Sequence, residues 1–175
     1  MKFNFKLWLE AQKHDYSAVL FLIPEEITQK IKNFSIKNIN SSNLYELEGG
    51  REDESHVTIL YGLNNNNLNE IKNKLKGFKP FKIKLGKISK FDNKDEYDVI
   101  KFDVEGKGLF DLNRKLKEIP HYSTYKDYKP HCTLAYVKKG NCDKLIGKNP
   151  IDQEIEVKEV YFVDTNKKKT KIQLQ

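Results

Sequence analysis

His56-Val57-Thr58-Ile59 decides the reading, because the form returns as His131-Cys132-Thr133-Leu134, 131 − 56 = 75 residues later. With four His and six Thr in 175 residues, about 0.14 His-x-Thr matches are expected by chance, so two are a signal. Each copy opens a run with the composition of a strand. Residues i and i+2 of a strand project from one face. His56 and Thr58 therefore point together, as do His131 and Thr133. Val57, Ile59, Cys132 and Leu134 fall on the opposite, packed face, and Tyr61 and Tyr136 share that parity and are read as packing.

Outward from these motifs the chain alternates short strands with short helices. Ser17 to Ile23 is a continuous apolar run stopped by Pro24, the pattern of a strand buried on both faces. Pro24-Glu25-Glu26 opens a helix to about Phe34, with Ile27 and Ile31 one turn apart. Ser35 to Glu54 is polar and aperiodic and reads as a long loop with room for a helical turn. After the strand from His56 to Tyr61, a helix runs from Leu68 to Leu75 and stops at Gly77. Phe81 to Leu85 and Tyr97 to Val104 alternate as strands joined in a hairpin. A helix spans Gly108 to Ile119, with Leu109, Leu112 and Leu116 on one face. His131 to Val137, Ile155 to Val163 and Thr170 to Leu174 complete the strands, the last two closing a hairpin across Asn166-Lys167.

Each half of this order holds a helix and a strand that begins with His. The expected fold is α+β, a single bilobal domain over residues 1–175. Two pseudo-symmetric lobes, each an antiparallel sheet with helices on its outer face, would form a central cleft. No Gly-, Ser- or Pro-rich linker divides them.

Composition narrows the class. Hydrophobic residues make up 38% and charged residues 33%, enough apolar mass to close a core. No apolar run reaches the roughly 18 residues of a membrane span. The first ten residues alternate charge with apolar side chains and lack the core of a signal peptide. Two cysteines, Cys132 and Cys142, cannot build a disulfide framework and fit a cytoplasmic setting. The net charge of +7 attracts polyanions such as nucleotides or RNA, although Lys- and Asn-rich usage explains it equally well.

If the lobes face each other, two imidazoles and two hydroxyls converge on the cleft. One neutral ring can accept a proton while the other, charged, donates one. Threonine hydroxyls can hold phosphate oxygens between the rings. That set suits in-line cleavage of a phosphodiester by water or a neighbouring ribose 2′-OH. It calls for no metal or other cofactor, and the sequence offers neither a carboxylate cluster nor a His-Glu-x-x-His helix. His14 and His121 lie outside the pattern, in loops.

Paired His-x-Thr strands in two β-α lobes resemble the two-histidine phosphoesterase superfamily. The resemblance implies that His56 and His131 are the acid/base couple and that Thr58 and Thr133 bind phosphate. The flanks, Gly50 to Gly62 and Tyr128 to Val137, look like the phage-encoded anti-CBASS phosphodiesterases. Those degrade cyclic di- and trinucleotide signals of bacterial immunity without metal. The implied partner is a cyclic oligonucleotide or a short RNA, not duplex DNA, acted on by a monomer in a bacterial or phage-infected cytoplasm. An RNA 2′,3′-cyclic phosphodiesterase or 2′-5′ RNA ligase-like enzyme, and a nucleotide sponge that does not cleave, are the rivals.

Further candidates follow for substrate contacts. Glu159 is the one charged residue on the parity of Ile155, Val157, Tyr161 and Val163. Lining a cleft it could accept from a base edge, and a bulge or a Lys salt bridge would explain it as well. Tyr16 could stack on a base, as an aromatic near this place does in the anti-CBASS resemblance, or simply cover the strand end. Tyr125, Lys126, Tyr128 and Lys129 enter the second motif from a loop. Lys167-Lys168-Lys169 reads as a solvated hairpin tip.

Overall fold

The computed structural model describes residues 16–64, 66–92, 97–122 and 127–175. Eight strands form one antiparallel sheet. They are β1 (Ser17–Leu22), β2 (His56–Leu63), β3 (Phe81–Asp92), β4 (Tyr97–Glu105), β5 (His131–Lys138), β6 (Glu154–Val157), β7 (Glu159–Val163) and β8 (Lys169–Gln173). Their order is β6-β3-β4-β5-β2-β1-β7-β8. The helices are α1 (Glu25–Asn38), α2 (Leu68–Leu75) and α3 (Lys107–Leu116). No helix among the described residues is long and apolar enough to cross a membrane.

The fold is α+β as expected, but its two halves interleave the sequence. β3, from the first part of the chain, pairs with β4, whereas β7 and β8, from the end, line up on β1. Each half thus holds four strands, with β5 and β2 meeting at the centre through one partner pair, Val57 with Cys132.

The expected strand from Ile155 to Val163 is in fact two. β6 pairs with β3, through Phe81 opposite Val157, and β7 pairs with β1, through Leu20 opposite Tyr161. Lys158 alone lies between them. In a flat sheet the six strand spacings from β6 to β7 would cover about 29 Å, whereas one linking residue spans only about 7 Å. The sheet must therefore curl. The break at Lys158 also resets the alternation, so that Ile155, Val157, Val160 and Phe162 are all buried.

Local chemistry accounts for the helices. Glu25 and Glu26 lie in the first turn of α1, where the helix dipole favours acids, and Ile27, Ile31 and Ser35 continue a buried stripe. That stripe carries α1 four residues past the expected end, to Asn38, and the loop that follows holds short helical turns at Ser41–Asn43 and Glu46–Glu48, in keeping with the helical turn the sequence left room for. Asn67 caps α2 by accepting from the Glu70 amide at 3.3 Å. Leu109, Leu112 and Leu116 of α3 are fully buried.

Candidate active site

The two motifs occupy the two central strands. Since Val57 faces Cys132 in antiparallel register, one step either way sets His56 across from Thr133 and Thr58 across from His131. Each imidazole thus meets the hydroxyl residue of the other motif. Both rings are oriented in the same way. His56 Nδ1 lies 2.7 Å from the Glu54 carbonyl oxygen and His131 Nδ1 2.7 Å from that of Lys129. A carbonyl only accepts, so each Nδ1 carries the hydrogen and each Nε2 remains to exchange a proton. His56, Thr58 and His131 are partly exposed, and Thr133 is buried.

A matching irregularity follows each motif. On β2 the register passes from Thr58 opposite Leu20 to Leu60 opposite Val19, and on β5 from Thr133 opposite Lys101 to Ala135 opposite Ile100. One extra residue, Ile59 or Leu134, is a β-bulge. Its carbonyl is satisfied from outside the sheet. Asn113 Nδ2 of α3 donates to Ile59 O at 2.6 Å, and the Glu52 amide donates to Leu134 O at 3.3 Å. The bulges reverse the alternation, so Tyr61 and Tyr136 leave the packed parity expected of them. Tyr61 is exposed and Tyr136 partly so, while Leu60 and Val137 are buried. The repeated unit is therefore His-x-Thr-x-x-Tyr, and the recurrence of Tyr at that spacing was the available signal.

Neighbouring strands make the two motifs unequal. Beside Thr58 and His56, β1 presents Leu20 and Leu22. Beside Thr133 and His131, β4 presents Lys101 and Asp103. Lys101 is 5% exposed. Its ammonium donates to Asp103 at 2.5 Å and to Ser89 Oγ at 2.6 Å, and lies 4.3 Å from the centre of the Phe91 ring. That ring packs edge-on against His131, with centroids 4.9 Å apart. Burial pushes the His131 imidazole below its ordinary value. The Lys101 and His56 charges add to this, against the Lys129 carbonyl and Asp103. Asp103 is raised by burial, but hydrogen bonds from Lys101 and Ser89 hold it lower overall. His131 is thereby biased toward the neutral ring, which accepts protons, and Lys101 supplies positive charge next to Thr133.

The other sequence candidates are dispersed. The Tyr16 ring lies 6.3 Å from Tyr61 and stacks on Tyr122 at 5.6 Å. Glu159 shares the face of Tyr161, not that of Ile155 and Val157, because of the break at Lys158. In register it lies beyond Leu22, two strands from His56. Its carboxylate accepts from Tyr161 Oη, Gln173 Nε2 and Lys171 Nζ at 2.7–2.8 Å, Lys171 leading in holding it low. Tyr128 Oη donates to the Thr58 carbonyl at 3.0 Å, burial pushing its phenol up. Lys129 is exposed, its carbonyl serving His131. Lys169 of the basic run pairs with Glu54, the residue whose carbonyl holds His56. His121 sits in a bridge to Leu63. His14, Tyr125 and Lys126 lie outside the described residues. Among the described residues no group of His, Cys, Asp and Glu could hold a metal ion.

Comparison with known proteins places this geometry. No curated protein matches the sequence. Among solved structures, Usb1 of Kluyveromyces marxianus is similar in fold, at a TM-score of 0.64 and 11% identity, over 92% of this chain and 99% of that one. LigT of E. coli, complexed with 3′-AMP, gives 0.57 and 14% over 92% and 95%. TT0787 of Thermus thermophilus gives 0.57 and 17% over 91% and 95%. Such identities show the fold alone. A sequence model of the 2′-5′ RNA ligase superfamily matches residues 26–169, and by that match the chain belongs to this superfamily of phosphodiesterase-type enzymes.

Proposed function

We propose that the protein cleaves the phosphodiester bonds of cyclic di- or trinucleotide signals without metal, in the manner of the anti-CBASS enzymes. It would do so as a monomer, with residues 1–175 forming one bilobal domain. The observation that carries this is the cross-strand pairing of each His-x-Thr motif with the other about Val57 and Cys132. Thr58 and Thr133 hold the phosphate. His131, held toward its neutral form, takes the proton of the nucleophile, a water or the neighbouring 2′-OH, as its oxygen bonds to phosphorus. The bond from phosphorus to the 5′-oxygen breaks, and His56 in its charged form protonates that leaving oxygen. Lys101 adds positive charge where the phosphate gathers negative charge in the transition state.

A second reading is favoured by the family and its neighbours. Usb1 has been solved with uridine monophosphate and LigT with 3′-AMP. The chain would then act on RNA ends carrying a 2′,3′-cyclic phosphate. Purified protein in EDTA, incubated with 3′,3′-cyclic GMP-AMP and separately with such an RNA, separates the two by mass spectrometry of the products. Linearised dinucleotide is expected. Ligand recovered unchanged would make the protein a sponge, and conversion of the RNA alone would favour the second reading.

A further inference from the structure

Two groups of three tyrosines flank the paired motifs, and each is built around the tyrosine that a bulge turns toward the His and Thr side chains. At one end Tyr16 lies against Tyr61 and stacks on Tyr122. At the other, Tyr45 stacks on Tyr97 with centroids 5.0 Å apart and nearly parallel rings, and Tyr97 lies 6.2 Å from Tyr136. The strand directions put the groups on opposite sides of the centre. Counted on the unbulged partners, Val57 to Tyr61 corresponds to Phe21 to Ala18, and Cys132 to Tyr136 corresponds to Phe102 to Val99. Three steps of a strand are about 10 Å. Each aromatic group therefore lies about 10 Å from the midpoint between the motifs, in opposite directions.

Short backbone segments hold both groups in place. Tyr45 donates its amide to the Tyr136 carbonyl at 2.9 Å, and the Tyr136 amide donates to Gly50 O at 2.7 Å. The Tyr122 amide likewise donates to Gly62 O at 2.7 Å. The rings are partly exposed or exposed, as a stacking surface for a nucleobase must be. We infer that Tyr45, Tyr97 and Tyr136 form a second base platform, related by the pseudo-two-fold to the one at Tyr16, Tyr61 and Tyr122. The substrate then carries a nucleobase on each side of the phosphate that the motifs hold. The inference rests on the phosphodiesterase reading above and narrows it to internucleotide linkages, cyclic or linear, rather than a phosphate on a single nucleoside.

The test compares adenylyl-3′,5′-adenosine with the same dinucleotide lacking its 5′-linked base. Affinity is measured by calorimetry on the full chain carrying His56→Ala, and turnover on the unaltered protein. Stacking predicts that removing one base weakens binding about tenfold or more. Tyr136→Ala should abolish that difference and Tyr136→Phe should keep it. Equal affinity for the two ligands, or no measurable affinity for either, overturns the second platform. A preserved preference in Tyr136→Ala overturns it as well. A clear two-base preference with no turnover of either ligand or of a cyclic dinucleotide would overturn the cleavage reading and leave the platform standing.

Discussion

Lys101 lies directly across from Thr133 in the register of β4 and β5, whereas Leu20 holds the matching place beside Thr58. Two motifs equal in sequence thus work in unequal surroundings, with a buried ammonium on one side and an aliphatic side chain on the other. Acid and base roles for two chemically identical rings require such a difference.

Removing that ammonium should move the pH dependence. Lys101→Met withdraws a charge that lowers the His131 value and leaves Asp103, which raises it, unopposed. The acidic limb of kcat/KM should therefore shift to higher pH, while Lys101→Arg should hold it near the original position. A limb that stays put in Lys101→Met would separate Lys101 from the chemistry.

His56→Ala and His131→Ala should each lose about 10²- to 10⁴-fold in kcat, the range for one general acid or base. Affinity for a cyclic dinucleotide should change little, because each ring acts mainly in the transition state. Single-turnover rates and equilibrium titration check the pair. Full activity in either variant would remove the acid/base assignment.

Stability should respond to the same imidazole. The folded value of His131 lies below the ordinary 6.5. Between the two values the unfolded chain binds more protons, so stability rises with pH. Acidification from above 6.5 down through the folded value should erode stability, and below the folded value this contribution levels off. Urea midpoints of the parent and of His131→Gln across that interval isolate the effect, and parallel curves would contradict it.

Asn113→Ala leaves the Ile59 carbonyl, and with it the first bulge, without its side-chain donor. The cost should be about 1–3 kcal/mol for an unsatisfied buried acceptor. Activity should fall further than stability, because the bulge sets the direction of Tyr61. Thermal melts alongside KM distinguish the two effects.

Gly62 has φ +88°, and a Cβ there would stand 1.8 Å from the Tyr122 carbonyl oxygen. Gly77, at φ +74°, faces open space. Gly62→Ala should therefore lower Tm clearly more than Gly77→Ala, which carries only the backbone strain of about 1–3 kcal/mol. Equal melting temperatures would mean that the 120–122 segment yields at no cost.

Much of this was legible in the residues. The α2 span, Leu68 to Leu75, follows from an apolar stripe between Asn67 and Gly77, and the His-x-Thr pair announced itself by repetition. Counting alternate residues failed where something distant intervenes. Tyr61 and Tyr136 were assigned to the packed side because nothing in β2 or β5 signals a bulge whose stabilising donors, Asn113 and the Glu52 amide, come from elsewhere in the chain. Glu159 was placed on the parity of Ile155 and Val157 because the break at Lys158 occupies one unremarkable residue. Lys101 and Asp103 fall in an alternating strand, and nothing in the sequence sets them apart. Only the pairing of β4 with β5, a non-local event, brings them beside the second motif.

The curl of the sheet has a mechanical consequence. Its two halves are fastened at the centre, where Val57 meets Cys132, and again away from it, where Lys158 is the whole connection between the edge strand β6 and β7. A hinge needs one free side, and here neither is free. The two halves are therefore tied together at two places along the sheet, which restricts how far β2 and β5 can part.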